Sequence, residues 1–304
     1  MGVCYNSKIE KALCSKKFDK YRNKVDLIFT SPPFPLNRKK KYGNKVGDEY
    51  LEWLTDIGEL FYEFLSPTGS LVIEIGNSWI KGSPTASLLP IKSLMAIMES
   101  CDYHLCQQFI WQNPAKLPSP AQWVNVERIR VKDSFTNIWW LSKSERPKAD
   151  NRRVLTEYSE SMKALLKSGK YNSGLRPSEH NISEKSFLKN NKGAIPSNVI
   201  TAANTQSSTS YQQFCKDNGY PLHPARMPKA LVEFFVKFLT EPGDLVMDPF
   251  GGSNTTGYVA EKLNRQWITV EANPDYVFGS VGRFSDVSVF QSAWMRQNLI
   301  ECYG

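Results

Sequence analysis

The sequence has no long apolar run. A membrane-spanning helix needs about 18 or more consecutive apolar residues, so none is expected. Histidine is scarce, with 3 in the whole chain, and none of the 6 cysteines (Cys4, Cys14, Cys101, Cys106, Cys215 and Cys302) forms a CxxC pair. Zinc fingers and ribbons are thereby excluded and no metal site is expected. The opening residues MGVCYNSKIEKAL lack the apolar core and cleavage site of a secretory signal. This predicts a cytoplasmic protein with reduced, structural cysteines. No internal repeat is visible.

What is present is ordinary globular composition with a basic excess. The chain has 304 residues, of which 41% are hydrophobic and 22% charged, enough for one large domain or two small ones. The net charge of +8 suggests an acidic partner, nucleic acid above all. Many basic proteins bind nothing acidic, so the location of the charge has to decide.

Three regions differ in character. Residues 1–144 alternate apolar runs with turn signals: VDLIFT (25–30) and SLVIEI (70–75) read as buried strands. Between them Leu54, Ile57, Phe61 and Phe64 fall at helical spacing behind Asp48, a candidate cap, which gives a βαβ unit. QQFIWQ (107–112) and TNIWWLS (136–142) read as two more strands. Residues 145–220 are polar: 168–210 alone carry nine Ser and six Asn, and 145–220 hold 12 Lys and Arg against 7 Asp and Glu. A floppy insertion and a loop-rich recognition module both fit this composition. Residues 221–304 return to α/β character, with a helix from Pro228 to Leu239, the strand LVMD, a glycine loop, the helix TTGYVAEKL and the strand QWITVE.

The glycine loop reads Asp248-Pro249-Phe250-Gly251-Gly252-Ser253-Asn254-Thr255-Thr256-Gly257. Glycines let backbone approach a ligand closely, and the following helix offers free N–H groups. Glu271 follows Gly252 by 19 residues and ends the next strand, where an acid can bind ribose hydroxyls. The spacing is not GxGxxG and no lysine follows the glycines, which disfavours a dinucleotide site and a P-loop. A nucleoside with a short charged tail fits this loop; a purely structural turn is the alternative.

A second loop, Thr30-Ser31-Pro32-Pro33-Phe34, follows VDLIFT directly. Its prolines donate no amide hydrogens and fix the backbone. A serine, outward carbonyls and an aromatic ring could hold a planar base bearing an exocyclic amine; a generic strand-end turn is the alternative. Four cations, Arg38, Lys39, Lys40 and Lys41, follow at once and suit phosphate contacts.

TSPPF ahead of DPFGGSNTT resembles the amino-methyltransferases of DNA in their β arrangement, where the catalytic motif precedes the cofactor motif. TSPPFPLNRKKKYGN, NPAKLPSPAQWVNVERIRVKD, HPARMP and FGGSNTTG are similar to the PvuII-type cytosine-N4 group along nearly the whole chain. The resemblance implies an α/β fold: a Rossmann-like, mostly parallel seven-stranded methyltransferase sheet with one antiparallel strand, helices on both faces and a loop-rich target-recognition region at 145–220. It implies S-adenosylmethionine as methyl donor. It carries the catalytic role to Ser31, Pro32, Pro33 and Phe34. Cofactor contacts fall to Asp248, Phe250, Gly251, Gly252, Ser253, Asn254, Thr255 and Thr256, with Glu271 on the ribose and Pro224 and Arg226 of HPARMP before the closing helix. Relatives often have GD ahead of the catalytic strand; Tyr5-Asn6-Ser7 stands there instead, so Asn6 or Ser7 would contact the adenine.

Cytosine N4 is a poor nucleophile because its lone pair is delocalised into the ring. Hydrogen bonds to Ser31 and to the Pro32 carbonyl would favour a pyramidal nitrogen aimed at the methyl group, and no proline–cysteine pair offers covalent catalysis. The target lies inside duplex DNA and must be flipped out. Trp111 is a second aromatic candidate to hold it, with a core role as the alternative. Lys116 joins the DNA-facing set. Arg128, Arg130 and Lys132 alternate, as if sharing one face of a strand toward phosphates, and Arg152 and Arg153 would lie near the groove. The expected partners are duplex DNA and a cognate restriction endonuclease, the expected state a monomer, and the expected target a short palindrome akin to CAGCTG. An adenine-N6 enzyme, a non-catalytic DNA-binding regulator of the same fold and an RNA or protein amide methyltransferase are the rival readings.

Overall fold

In the computed structural model, residues 2–34, 45, 47–184, 186–204, 209–284 and 300–302 are described. In chain order the elements are β1 (Gly2–Asn6), α1 (Ile9–Leu13), β2 (Val25–Thr30), α2 (Gly47–Phe64), β3 (Leu65–Ile75), α3 (Leu89–Ser100), β4 (His104–Gln112), β5 (Phe135–Ser142), α4 (Glu160–Ser168), β6 (Gly174–Leu175), β7 (Asn181–Ile182), β8 (Val199–Thr201), α5 (Thr209–Asp217), α6 (Lys229–Leu239), β9 (Leu245–Asp248), α7 (Thr255–Lys262), β10 (Gln266–Glu271), α8 (Pro274–Ser280) and β11 (Ile300–Cys302).

The apolar runs become the middle of one sheet, ordered β11-β1-β10-β9-β2-β3-β5-β4-β8. Among the described pairings of this sheet, β5 alone runs against its neighbours, β3 and β4. The expected seven strands with one antiparallel member are therefore present, widened by short strands at both edges. Side chains alternate between two cores, as the two-residue period of a strand requires. Leu27, Phe29, Val72, Val246 and Trp267 pack on the face covered by α6 and α7, with Phe235 at its centre. Ile28, Leu71, Ile73, Met247 and Ile268 pack on the other face with α2 and α3. Helix α6 presents Leu231, Val232, Phe235, Val236 and Leu239 at helical spacing, all buried. Truncating Phe235 to alanine would cost about 3–5 kcal/mol on the usual scale for buried aromatics.

Several local expectations need correction. Asp48 sits inside the first turn of α2 rather than capping it, because the helix starts at Gly47. The strand read at 70–75 begins earlier, at Leu65, with an irregularity at Pro67-Thr68-Gly69: pairing to β2 is interrupted between Leu65↔Val25 and Ser70↔Leu27. Residues 122–132 are not a strand; Gln122–Val126 form a single π-helical turn, and Arg128 has φ +57°. The side chains there cannot alternate across one face.

Residues 150–197 form a separate small compact unit, and 1–149 with 198–304 form the other. The small unit has no buried hydrophobic side chain among its described residues. It holds together by local devices: Ser159 caps α4 by accepting from Met162 N, Gly169 ends it in a left-handed conformation, Thr156 pairs with Ala194, and the Tyr158 hydroxyl accepts from Asn191 N over 2.8 Å. Residues 198–220 belong to the larger unit, where β8 extends the sheet alongside β4.

Candidate active site

Strands β1, β10, β9, β2 and β3 run parallel, so their C-terminal ends share one edge of the sheet. The sheet order reverses between β9 and β2, where open α/β sheets place their ligands. Both sequence motifs emerge there: Ser31-Pro32-Pro33-Phe34 directly after β2 and Pro249–Asn254 directly after β9.

The glycine loop is held from below by Asp248, which is 6% exposed. Its Oδ1 accepts from the Thr30 hydroxyl at 2.9 Å and from Phe250 N at 3.0 Å, and its Oδ2 from the Thr256 hydroxyl at 2.6 Å. Burial pushes the acid up to about 6 against these three donors. Asp248 and Thr256, expected as cofactor contacts, are thus buried supports whose polar atoms bond each other. The loop above them is taut. Gly251 N donates to Val270 O at 2.8 Å and Asn254 N to Gly251 O at 2.7 Å. Gly252 has φ +52°, and its N–H donates to Glu271 Oε2 at 2.9 Å. Asn254, also left-handed, caps α7 by accepting from Gly257 N, an arrangement typically worth about 1 kcal/mol.

Glu271 ends β10 with each carboxylate oxygen holding one amide, the second being Asn273 N at 2.8 Å. A carboxylate oxygen can accept more than one bond, so both can still meet ribose hydroxyls. Asn6 donates its amide to Glu271 O and Ala272 O, and Ser7 N donates to Glu271 O. Those two residues therefore fix the turn after β10. Phe250 lies half-buried with its ring edge-on to Trp53 at 5.8 Å.

At Ser253 two cations come together. Buried Arg283 donates to Ser253 Oγ at 2.7 Å and to the Ser253 carbonyl, and its guanidinium lies 4.6 Å from the Tyr211 ring. Burial first, and the nearby Arg226 charge, pull its pKa down to about 10. The other groups acting on it are Tyr211, Cys215 and Tyr258, and none is a carboxylate. Arg226 Nη1, Asn254 Nδ2 and Thr255 Oγ1 are buried with no hydrogen-bond partner among the described residues. Orphaned buried donors beside two like charges call for an anion with acceptors to spare. Pro224 is exposed, next to His223, whose ring lies over Gly252 and edge-on to Tyr276.

In the second loop the Ser31 hydroxyl donates to Glu74 of β3, a residue that sequence reasoning missed. Glu74 is 4% exposed. Burial drives its acid up to about 7, opposed by the Ser31 hydrogen bond and by the charge of Lys116. The signal was an acid alone in the apolar strand SLVIEI. Phe34 lies against Gly76, so closely that a Cβ there would sit 2.5 Å from the ring.

Of the expected DNA-facing residues, Arg38, Lys39, Lys40 and Lys41 lie outside the described residues. Trp111 is a correction: it is buried, and its indole N–H donates to Ala202 O at 2.8 Å, stitching β4 to the segment after β8. Arg130 is also used internally, donating to Pro84 O at 2.8 Å and pairing with Asp133 at 3.4 Å. Arg128 and Lys132 are exposed, and Lys116 is half-buried near Glu74. In the small unit Arg152 is exposed but clasped by Asp150 at 2.7 Å, and Arg153 is half-buried.

Comparison with known proteins places these features in a lineage. A family model for DNA methylases of the N6/N4 type matches residues 25–280. The chain is 45% identical over 267 residues to the type II methyltransferase M.PvuII of Proteus hauseri, covering 87% of this chain and 79% of that one. It is 28% identical over 257 residues to M.BglII of Bacillus subtilis, covering 84% of this chain and 62% of that one. The solved PvuII DNA methyltransferase, a cytosine-N4-specific enzyme, superposes with a TM-score of 0.74 at 36% identity over 98% of this chain and 92% of that one. A DNA modification methylase of Thermus thermophilus, solved with S-adenosyl-L-methionine, shares the fold at a TM-score of 0.56 and 16% identity, over 99% of this chain and 98% of that one.

Proposed function

Because this chain belongs to the N6/N4 DNA methylase family, we propose that it is a type II modification enzyme that methylates the exocyclic N4 amine of a cytosine flipped out of duplex DNA. The observation that carries the reading is the adjacency of Ser31, Glu74 and the glycine loop at the reversal point of the sheet. S-adenosylmethionine supplies, when bound, an electrophilic methyl group on a sulfonium sulfur. The residues suit it. Glu271 offers acceptors to the ribose, Phe250 an aromatic surface to the adenine, and Arg226, Arg283, Ser253, Asn254 and Thr255 donors to the amino-acid carboxylate. Glycine at 252 lets the His223 ring pack directly on the loop, since a Cβ there would meet that ring at 3.1 Å.

Ser31 and the Pro32 carbonyl receive the two hydrogens of the target amine and turn its lone pair toward the methyl donor. Phe34 stacks on the base. As the N–C bond formed, the sulfur–methyl bond would break in line and leave a neutral thioether; the nitrogen, now cationic, would lose a proton to Ser31 Oγ, whose own proton would pass to Glu74. Serine rather than aspartate ahead of Pro-Pro favours cytosine over adenine. Much of the acceleration comes from holding the reacting atoms in line. The small unit 150–197, polar and loop-rich, reads the sequence, with a palindrome akin to CAGCTG as the expected site and a restriction endonuclease of the same specificity as counterpart. Each strand is modified separately, so a monomer in the cytoplasm suffices. No helix among the described residues is long and apolar enough to cross a membrane.

The test is mass spectrometry of nucleosides from plasmid DNA of a host expressing the chain, with methylation-sensitive sequencing to locate the site. N4-methylcytosine at one palindrome is the expected product. N6-methyladenine would transfer the same chemistry to an adenine target, and no modified base at all would leave a DNA-binding regulator.

A further inference from the structure

β4 runs parallel to β3, because both oppose β5. The segment 113–134, which joins β4 to β5, therefore hangs from the same sheet edge as Ser31 and the glycine loop. Its root is pinned. Asn113 N donates to Ser134 O at 2.7 Å, Asn77 donates to Phe135 O at 3.2 Å, and Lys132 Nζ reaches Lys116 O at 3.4 Å, so its two arms run side by side. The charge of Lys116 in this root acts on Glu74, the acid coupled to the Ser31 hydroxyl.

The outer part of this segment is apolar and open to solvent. Leu117 is 79% exposed and Val131 87% exposed, one on each arm; Val126 and Ile129 are exposed as well. The cause is local: Arg130 turns inward to Pro84, Asp133 and the Trp79 ring, while its neighbours Ile129 and Val131 are left facing out. The segment carries four cations, Lys116, Arg128, Arg130 and Lys132, against two acids, Glu127 and Asp133, and of the cations Arg128 and Lys132 are exposed. Apolar side chains at such exposure, on a segment of net positive charge beside a site for an extruded base, match the chemistry of one partner surface. Duplex DNA offers anionic phosphates around an apolar base stack, and proteins that open it insert aliphatic wedges between bases.

We propose that Leu117 and Val131 form a wedge that enters the base stack where the target cytosine leaves it and holds the gap open during methyl transfer. This rests on the reading that the cytosine is flipped out, and it adds which residues keep it out. Neither side chain touches the methyl donor or the reacting amine, so both are positioning residues.

The experiment uses the full chain and a duplex bearing the mapped site, with 2-aminopurine in place of the target base. Its fluorescence rises when it leaves the stack. The wild-type chain is expected to give this rise and L117S/V131S to lose most of it. Turnover of the double variant on the ordinary duplex should fall about tenfold or more, and should return to within about twofold of wild type when the target cytosine stands opposite an abasic site and needs no unpairing. Both positions are exposed, and calorimetric affinity for S-adenosylmethionine equal to wild type confirms the fold; L117M/V131I, which keeps the apolar bulk, should retain activity. A fluorescence rise kept by L117S/V131S, or equal losses on both duplexes, overturns the wedge. No rise with the wild-type chain overturns base extrusion itself.

Discussion

The Thr30 hydroxyl donates to Asp248 Oδ1 over 2.9 Å, joining the ends of β2 and β9 across 218 residues of chain. The loop proposed to hold the base starts at the next residue after Thr30, and the loop proposed to hold the methyl donor starts at the next residue after Asp248. One buried hydrogen bond therefore sets the distance between the two halves of the reaction. Thr30→Val keeps the volume but removes a donor from a buried carboxylate. Bonds to charged groups are worth about 1.5–3 kcal/mol, so denaturant unfolding should show a loss of that order. Methyl transfer should fall further than the affinity for S-adenosylmethionine, since the Thr256 and Phe250 bonds still hold the glycine loop. Wild-type stability and kinetics would show that the two strand ends are positioned by the sheet alone.

Gly252 combines three demands: a left-handed φ of +52°, an amide bonded to Glu271, and a side-chain position filled by the His223 ring at 3.1 Å. Gly252→Asp strains the left-handed backbone, collides with the His223 ring and sets a second carboxylate beside Glu271. Like charges at this range cost several kcal/mol, so affinity for S-adenosylmethionine by calorimetry should drop by about 100-fold or more. Unchanged affinity would remove the loop from the cofactor site.

The residues legible in the sequence were those whose role depends on local chain geometry. A glycine turn between a strand and a helix, and a diproline after an apolar run, can be read from neighbours alone. Glu74, Arg283 and Thr30 were missed because their importance comes from partners 43, 30 and 218 residues away, which no local pattern encodes. Trp111 and Arg130 misled for the opposite reason. An indole and a guanidinium look available in a sequence, but here Ala202 O takes one N–H and Pro84 O with Asp133 the other group. Alternation at 128–132 resembled a strand, but the left-handed Arg128 breaks it. The boundary of the polar region was also blurred by composition: β8 is polar in its surroundings yet completes the sheet beside β4.

Phe34 is set by Gly76. The ring occupies the space where any larger residue at position 76 would place its Cβ. Gly76→Ala should displace Phe34 while leaving Asp248, Gly252 and Glu271 untouched. The expected result is a raised KM for DNA and a kcat lowered about tenfold, with S-adenosylmethionine affinity unchanged. Unaltered kinetics would mean that Phe34 does not hold the base.

Ser31→Ala and Glu74→Gln separate the hydroxyl from the carboxylate behind it. Ser31→Ala should bind S-adenosylmethionine normally and lose most methyl transfer; turnover near wild type on duplex DNA would sink the assignment. Glu74 is informative through pH, because burial lifts its acid from the ordinary 4.5 to about 7. As a proton acceptor it must be ionised, so wild-type turnover should climb as pH rises through about 7, and Glu74→Gln should be slow and lack this limb. Stability moves the other way. The folded carboxyl keeps its proton up to about 7, while the unfolded one loses it near 4.5. The contribution of this group is therefore complete below 4.5 and is lost as pH rises through 7. Denaturant titrations across that window should show a downward slope for the wild type and a flatter one for Glu74→Gln. If both proteins share one slope and one activity profile, Glu74 stays uncharged throughout and the proton leaves the amine by another route.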